Sequence, residues 1–259
     1  MCFLFIRKKV SMNISITGAA GSLGRAITAA LSERHTISPT DIRMAPGARM
    51  IVRADVLDIE AVEELCKGMD AVIHVARATW DSRLSDVENE RHILETRLKG
   101  TYNVLKAASE AGVKRVVQVS DLCIFSGYGE DFIVSEDFLP LPDTSVYQQS
   151  VYLSEQIACE FAQQYPGMIL TLRMGKLVDQ DKLAADSPLE DIWLDYRDAT
   201  RAIERAVMID QFDGSSKWGL YNLTAGLPNE RYSLLKISSG HFGFRPKFNF
   251  EDWWQEETS

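Results

Sequence analysis

A glycine-rich turn between a short apolar strand and a helix constrains this chain more than any other feature. The turn spans Thr17 to Gly24, with a predicted strand over 13–17 before it and a predicted helix over 22–31 after it. Glycines at this spacing allow a tight turn, close approach of backbone to a pyrophosphate, and close packing of helix on strand. The helix N-terminus adds unpaired N–H groups and a positive dipole end. The segment therefore predicts a dinucleotide site, and a glycine-rich loop without a ligand is the alternative; the site residues are Gly18, Ala20, Gly21, Ser22, Leu23 and Gly24.

Acidic residues follow the second and third predicted strands. In a dinucleotide-binding fold, an acid about 20 residues beyond the glycines binds the adenosine ribose. Asp41 stands at that distance and favours NAD, although its place after Pro39-Thr40 also suits a turn residue. Arg43 would instead suit the 2′-phosphate of NADP. Asp55 and Val56 follow the third strand, where Asp55 is placed to reach the adenine edge.

Strands and helices alternate along the first two thirds of the chain. The predicted strands after the first cover 35–38, 50–53, 70–76, 114–120 and 168–173, and the helices cover 58–66, 86–111 and 147–165. This alternation predicts an α/β fold, a doubly wound parallel sheet of the Rossmann type with helices on both faces. The apolar run 70–76 is typical of a strand buried on both faces. It ends in His74, Val75 and Ala76, beside the expected cofactor, where His74 is read as structural rather than catalytic.

Three segments are expected along the chain. Residues 1–11 form an extension outside the fold, and residues 12–173 form the dinucleotide-binding core. Residues 174–259 form a small cap that is interleaved with the core. Because ligands bind at the carboxyl ends of the strands in such sheets, we expect the cap on the substrate side.

Charge and composition exclude several classes of function. The net charge of −9 argues against a nucleic-acid partner. No apolar run reaches the ~18 residues of a membrane span. The four cysteines have neither metal-ligand spacing nor the pattern of a disulfide framework. We therefore expect a cytoplasmic protein with reduced thiols, no metal site and a small-molecule substrate.

The chain resembles the extended branch of the short-chain dehydrogenase/reductase superfamily, the NAD-dependent epimerase/dehydratase family. Its tail and its short length are most similar to the uronate dehydrogenases. The resemblance implies binding of NAD, or of NADP, and hydride transfer on a sugar, a sugar acid or another small carbonyl or alcohol, with a Tyr proton relay. It also implies a homodimer through helices 86–111 and 147–165. The matching segments are the glycine turn, Asp55-Val56, 74–76, 100–105, Leu172-Arg173, 221–223 and 243–247, with Arg173 on the cofactor side.

The catalytic positions depart from that family. Its members use a Ser or Thr, a Tyr and a Lys four residues after the Tyr. Tyr147 matches the tyrosine, but Val151 stands at the lysine position. The hydroxyl position holds Asp121, or Leu122 in the next register, with Ser120 just before, and Arg97 stands where family members carry an Asn. The catalytic candidates are therefore Tyr147, Ser120, Asp121 and Arg97.

The missing lysine has a cost that can be estimated. A free tyrosine has a pKa near 10, and bringing it to about 7 takes roughly 4 kcal/mol. Val151 cannot supply that stabilisation, whereas Arg97 offers a cation from the neighbouring helix. Two functions remain open at this point: an oxidoreductase or epimerase with a rearranged site, and a catalytically silent NAD(P)-binding redox sensor or regulatory protein.

Overall fold

The structure, a computed structural model, describes residues 11–44, 50–211, 217–228 and 231–254. Apart from Ser11, the predicted N-terminal extension lies outside the described residues. Seven parallel strands form one sheet in the order β3-β2-β1-β4-β5-β6-β9. The strands are β1 (Asn13–Thr17), β2 (Thr36–Asp41), β3 (Val52–Arg53), β4 (Ala71–His74), β5 (Arg115–Asp121), β6 (Met168–Met174) and β9 (Trp218–Leu223).

Helices cover both faces of this sheet. They are α1 (Ser22–Leu31), α2 (Ile59–Cys66), α3 (Asp86–Leu94), α4 (Gly100–Glu110), α5 (Val146–Gln164), α6 (Tyr196–Met208), α7 (Leu235–Ser238) and α8 (Glu251–Trp254). On one face, α1 and α6 share an apolar cluster that includes Ile27 and Ile203. On the other face, Val104 of α4 and Ala158 of α5 belong to a second cluster. The predicted doubly wound α/β fold is therefore confirmed.

The strand order fixes where a ligand site can form. From β1 the sheet runs through β2 and β3 in one direction and through β4, β5 and β6 in the other. Thr17 and His74 are partners at the carboxyl ends of β1 and β4. Doubly wound sheets bind ligands in the crevice at such a reversal. The glycine turn, which follows Thr17, lies at this crevice.

Strand β2 is longer than predicted. We expected it to end at Ser38, before a turn at Pro39, but it continues to Asp41. Pro39 lies opposite Ile16 of β1, whereas the pairing with β3 begins only at Thr40. Among the described residues, no strand pairs with the outer side of β2 at Pro39, and the missing N–H of the proline therefore leaves no gap in the ladder. Asp41 is consequently the last residue of a strand rather than a turn residue.

The helix predicted over 86–111 is not a continuous α-helix. A π-helical turn, Glu95–Lys99, separates α3 from α4, and the Gly100 N–H donates to the Glu95 carbonyl five residues earlier. Helices α3 and α4 each keep the helical spacing of apolar residues, and only the turn between them holds an extra residue. The sequence pattern of either helix therefore could not reveal it. Helix α5 begins one residue before the predicted 147, after the N-cap Ser145.

The segment after residue 174 contributes to the core and also covers it. Strand β9 pairs with β6, and α6 packs on α1. Two short strands, β7 (Lys176–Val178) and β8 (Trp193–Asp195), form a separate parallel pair. The segment 231–239 contains only the four-residue helix α7, and Tyr232 pairs with Val134 in an isolated bridge. Within the described ranges, no helix is both long and apolar enough to cross a membrane.

Candidate cofactor and catalytic site

A cavity of about 640 Å³ lies at the carboxyl ends of the central strands. All predicted site residues except His74 and Arg173 line it. The lining residues from the cofactor prediction are Gly18, Ala20, Gly21, Ser22, Leu23, Gly24, Asp41, Arg43, Asp55, Val56, Val75 and Ala76, and those from the catalytic prediction are Arg97, Ser120, Asp121 and Tyr147. Residues from distant parts of the sequence thus share one cavity wall.

The glycine turn fits a pyrophosphate. Gly18 has a φ of +74°, and a Cβ there would lie 2.7 Å from the Ala76 backbone, so the turn packs directly on the end of β4. A Cβ on Gly21 would meet only one described atom within 4 Å, the Gly18 carbonyl oxygen at 3.3 Å. Helix α1 begins after Gly21 with no side-chain cap and no acidic residue in its first turn. Its positive end therefore lies at the cavity wall with no acidic residue of its own first turn, and a phosphate group would be stabilised there.

Asp41 holds the glycine turn from the neighbouring strand. Its buried carboxylate accepts the Ala20 N–H at 3.0 Å through Oδ2 and the Arg43 N–H at 2.8 Å through Oδ1. The Arg43 Nε lies 3.5 Å from Asp41 Oδ1, and the Arg43 side chain is 60% exposed. Asp41, which favours NAD, and Arg43, which would suit the 2′-phosphate of NADP, are therefore in contact with each other.

The loop after β3 is fixed by helix α4. Asn103 donates through Nδ2 to the Val56 carbonyl at 2.9 Å. Gly100 packs so closely that a Cβ would lie 2.7 Å from Val56 Cγ2. Asp55 is exposed on the same loop, and its Oδ1 accepts the Leu57 N–H at 2.9 Å. These contacts hold Asp55 and Val56 at the cavity end that lies beyond β2.

His74 does not line the cavity. Its Nδ1 lies 2.7 Å from Thr17 Oγ1, and its Nε2 lies 3.1 Å from Thr101 Oγ1. Burial, and next the charge of Arg97, lower the pKa of His74 to about 3. A neutral imidazole therefore ties β1, β4 and α4 together, which agrees with the structural role expected for it.

Arg173 is also kept from the cavity, because it forms a buried ion pair. Its Nε and Nη2 donate to the Glu155 carboxylate at distances of 2.7–3.1 Å, and the two side chains are 2% and 0% exposed. Ser120 donates its hydroxyl to the same carboxylate at 2.5 Å. The role of Glu155 was missed from the sequence, although a glutamate on an otherwise buried face of α5 is a signal for such a partner.

Three predicted catalytic residues converge on one point. The Tyr147 hydroxyl donates to Asp121 Oδ2 at 2.8 Å, and the Arg97 Cζ lies 5.9 Å from the Tyr147 ring centroid. A further residue, Arg77, donates through Nη1 to the Tyr147 oxygen at 3.3 Å. Arg77 was missed from the sequence, although it lies three residues after the end of β4, beside Val75 and Ala76, which were predicted to line the site. Ser120 stands apart from this group, since its hydroxyl proton is directed at Glu155.

Burial dominates the electrostatics of this group. Burial, followed by the carboxylate of Asp121, raises the pKa of Tyr147 to about 12, while the charges of Arg97 and Arg77 act in the opposite direction. Burial also lowers the pKa of Arg97, whose residue is only 7% exposed. Among the described residues, no carboxylate forms a salt bridge with Arg97. A buried guanidinium on a cavity wall is stabilised by an anionic or polar ligand.

Val151 lies away from the cavity. It is fully buried in an apolar cluster with Phe125, Val134 and Tyr232. This position therefore carries a packing residue rather than a charged group directed at Tyr147.

A second cavity of about 410 Å³ adjoins the first on the outer side of Tyr147. The two cavities share Arg77, Ala78, Thr79 and Tyr147. The other residues that line the second cavity are Trp80, which is 54% exposed, Ile93, Ser145 and Val146. The side of Tyr147 away from the glycine turn thus offers room for a small molecule.

Known proteins share this architecture. The model of the NAD dependent epimerase/dehydratase family matches residues 14–178, more than half of the 259 residues, and the chain therefore belongs to that family. An L-arabinose 1-dehydrogenase (NAD(P)(+)) of Haloferax volcanii is 28% identical, with 91% of this chain and 96% of its own covered. A uronate dehydrogenase of Pseudomonas putida is 26% identical, with 91% and 84% covered.

A solved structure extends the likeness to the whole fold. It is a short-chain dehydrogenase/reductase superfamily protein of Agrobacterium tumefaciens with bound NAD, 21% identical, with a TM-score of 0.76 over 94% of this chain and 95% of its own. The resemblance stated from the sequence is thereby confirmed at the level of fold and family. The relatives that the chain resembles in sequence thus include a sugar dehydrogenase and a uronate dehydrogenase.

Proposed function

We propose that this protein is an NAD-dependent dehydrogenase that interconverts a hydroxyl and a carbonyl group on a sugar, a sugar acid or another small molecule. One observation supports this proposal above all: Tyr147, Asp121 and Arg97 lie together on the wall of the cavity that the glycine turn also lines. A bound nicotinamide would supply the acceptor or donor of hydride. The residues around Tyr147 would handle the proton.

The cofactor would be held in three places. The turn from Gly18 to Gly24 and the start of α1 would take the pyrophosphate, Asp41 the adenosine ribose and Asp55 the adenine edge. NAD suits this site better than NADP, because a 2′-phosphate beside the Asp41 carboxylate would be repelled. Arg43 offsets that charge only from an exposed position, at 3.5 Å.

Arg97 would replace the family's lysine. It approaches the Tyr147 ring from the π-helical turn, and its charge lowers the pKa of that phenol against the larger effect of burial. Arg77 adds a second cation that directly contacts the Tyr147 oxygen. Two guanidinium groups beside the reacting position would also favour a substrate that carries a carboxylate, as sugar acids do.

The second cavity would hold the part of the substrate that does not react. Trp80 presents an exposed ring there, and sugar rings pack on aromatic side chains through their apolar faces. The alternative of a catalytically silent sensor is not favoured, because a sensor would need no tyrosine hydrogen-bonded to a carboxylate and contacted by two cations at the cavity wall.

The test is a substrate screen with matched tyrosine variants. Sugar acids, aldoses and small aldehydes are screened by NADH absorbance with the parent protein, Tyr147→Phe and Tyr152→Phe. Tyr152 lies on the same helix and packs against the same apolar cluster as Tyr147, but it is not among the described residues that line the cavity. We expect Tyr147→Phe to lose roughly 10²–10⁴-fold in turnover while it binds NADH normally, and Tyr152→Phe to resemble the parent. If all three bind NADH and none turns over a substrate, the sensor alternative replaces this proposal.

We further propose that two copies pair through α3, α4 and α5. Leu153, Ile157 and Phe161 recur at four-residue spacing along α5, and Leu153 remains 40% exposed. Tyr102 of α4 is 47% exposed and contacts Phe161 edge-on, with ring centroids 5.4 Å apart. Such a connected apolar strip on adjacent helices would be covered in a two-fold dimer.

A further inference from the structure

The hydrogen bond between Tyr147 and Asp121 has a defined direction. A phenol has one proton and a carboxylate accepts only, so the Tyr147 hydroxyl donates to Asp121 Oδ2, at 2.8 Å. The other carboxylate oxygen, Oδ1, accepts the Cys123 N–H at 2.8 Å, which fixes the carboxylate plane. The lone pairs of the Tyr147 oxygen therefore point away from Asp121. One of them is approached by Arg77 Nη1 at 3.3 Å, and the other remains for a substrate hydroxyl.

A phenolate at Tyr147 is scarce near neutral pH. The charged groups that face Tyr147 are Asp121 at the end of β5, Arg97 in the π-helical turn and Arg77 after β4, with Cys123 beside Asp121. Because burial and the Asp121 carboxylate raise the pKa of Tyr147 to about 12, the neutral phenol is the dominant form at pH 7. Catalysis by a Tyr147 that is already ionised before the reaction therefore contributes little at neutral pH. A carboxylate that already accepts the phenol proton has no such limitation.

We propose that Asp121 is the terminal proton acceptor in alcohol oxidation and that Tyr147 relays the proton to it. This inference rests on the proposed dehydrogenase function. The substrate O–H bond breaks as its proton bonds to the Tyr147 oxygen, and the Tyr147 O–H bond breaks as its proton bonds to Asp121 Oδ2. The carbon-bound hydrogen leaves with its electron pair to the oxidised nicotinamide, so the alcohol becomes a carbonyl and the carboxylate becomes a carboxylic acid. In the reductive direction, the Asp121 acid supplies the proton through Tyr147.

The residue type at position 121 is what makes this possible. A serine or threonine at this place, as in the resembled family, can orient a substrate but cannot hold the extra proton at neutral pH. A tyrosine with a raised pKa can thus take part in catalysis without a neighbouring lysine.

The first test needs no substrate or cofactor. The phenolate absorbance of Tyr147 is isolated by subtracting the ultraviolet pH titration of a Tyr147→Phe version, for the parent and for Asp121→Asn. Because the Asp121 carboxylate raises the pKa of Tyr147, we expect that pKa to fall in Asp121→Asn. The control Asp131→Asn, which removes an exposed carboxylate elsewhere, is expected to leave it unchanged. If Asp121→Asn does not lower the pKa of Tyr147, the pairing is absent and the proposal is overturned.

The second test is the pH profile of oxidation, with a substrate found in the screen. We expect the parent to oxidise well at neutral pH. Asp121→Asn and Asp121→Ser should both lose roughly 10²–10⁴-fold there and recover as the pH rises toward the Tyr147 pKa. If Asp121→Asn oxidises like the parent at pH 7 while Tyr147→Phe is inactive, the relay is wrong and the proposed function stands. If the parent oxidises no alcohol, the proposed function fails and the relay falls with it.

Discussion

Replacing Glu155 by glutamine should destabilise the protein strongly, although Glu155 does not line the cavity. The carboxylate accepts three short hydrogen bonds from Arg173 at 2.7–3.1 Å, and neither side chain is more than 2% exposed. Glutamine keeps the shape and loses the charge, so it leaves the buried Arg173 guanidinium without its ion-pair partner. Removing one partner of a buried ion pair costs about 3–5 kcal/mol. In a domain of this size, that corresponds to a fall of roughly 6–20 °C in Tm.

Thermal and urea unfolding, followed by circular dichroism, would measure this loss. Arg34→Gln is the matched control, because it breaks an exposed pair with Glu204 whose side chains are 36% and 22% exposed. We expect that control to cost less than about 1 kcal/mol. The double variant Glu155→Met/Arg173→Met removes both charges and should recover most of the loss. A Glu155→Gln protein within about 1 kcal/mol of the parent would refute the reasoning.

Four further outcomes are expected. Gly21→Val should abolish NADH binding measured by fluorescence, because its side chain would enter the space for the pyrophosphate, while Gly129→Ala, whose nearest neighbour is 4.0 Å away, should bind normally. Val151→Lys should unfold at lower urea concentration than the parent, since its ammonium would lie in an apolar cluster. Leu153→Asp should convert a dimer to a monomer by light scattering, and a monomeric parent would contradict the proposed pairing. His74 has a pKa of about 3 in the folded protein and 6.5 in the unfolded chain, so the unfolded chain binds the proton first as the pH falls. The free energy of unfolding should therefore decrease by about 1.4 kcal/mol for each pH unit below 6.5, down to about pH 3, and a His74→Gln protein should lack that contribution.

The sequence placed the glycine turn in the cavity wall because contiguous residues form that part of the candidate site. The turn from Gly18 to Gly24 carries its own geometry: a positive φ, close contact with β4 and a helix start without a cap. Asp41 follows from the spacing between the first two strands. The end of β2 was predicted too early, but Asp41 was still expected at the cavity, and it lies there because the last residue of the strand lines the cavity. The sequence was therefore sufficient to place these residues, because the backbone of one short segment forms this part of the cavity wall.

The catalytic half could be predicted only in part, because four separate segments meet there. Ser120 and Asp121 could not be separated from the sequence, yet neighbouring residues on a strand point to opposite faces. The structure directs Ser120 to Glu155 and Asp121 to Tyr147. Arg77 was missed for a related reason, because no pattern marks which residue after a strand turns toward the cavity. Tertiary register, rather than residue type, decided these positions.

The π-helical turn explains why position 97 can act on Tyr147. In a regular α-helix, adjacent residues point about 100° apart, so two neighbours seldom both face one cavity. Here Thr96 and Arg97 are both buried and both line the cavity, inside the widened turn that the bond from Gly100 to Glu95 closes. The extra residue of the π-helical turn also rotates the face that α4 presents, and Gly100 at the start of α4 packs on Val56. The segment from the π-helical turn into α4 thereby holds the loop of Asp55 and Val56 and places a buried cation beside the Tyr147 ring, which accords with the frequent placement of π-helical turns at functional sites.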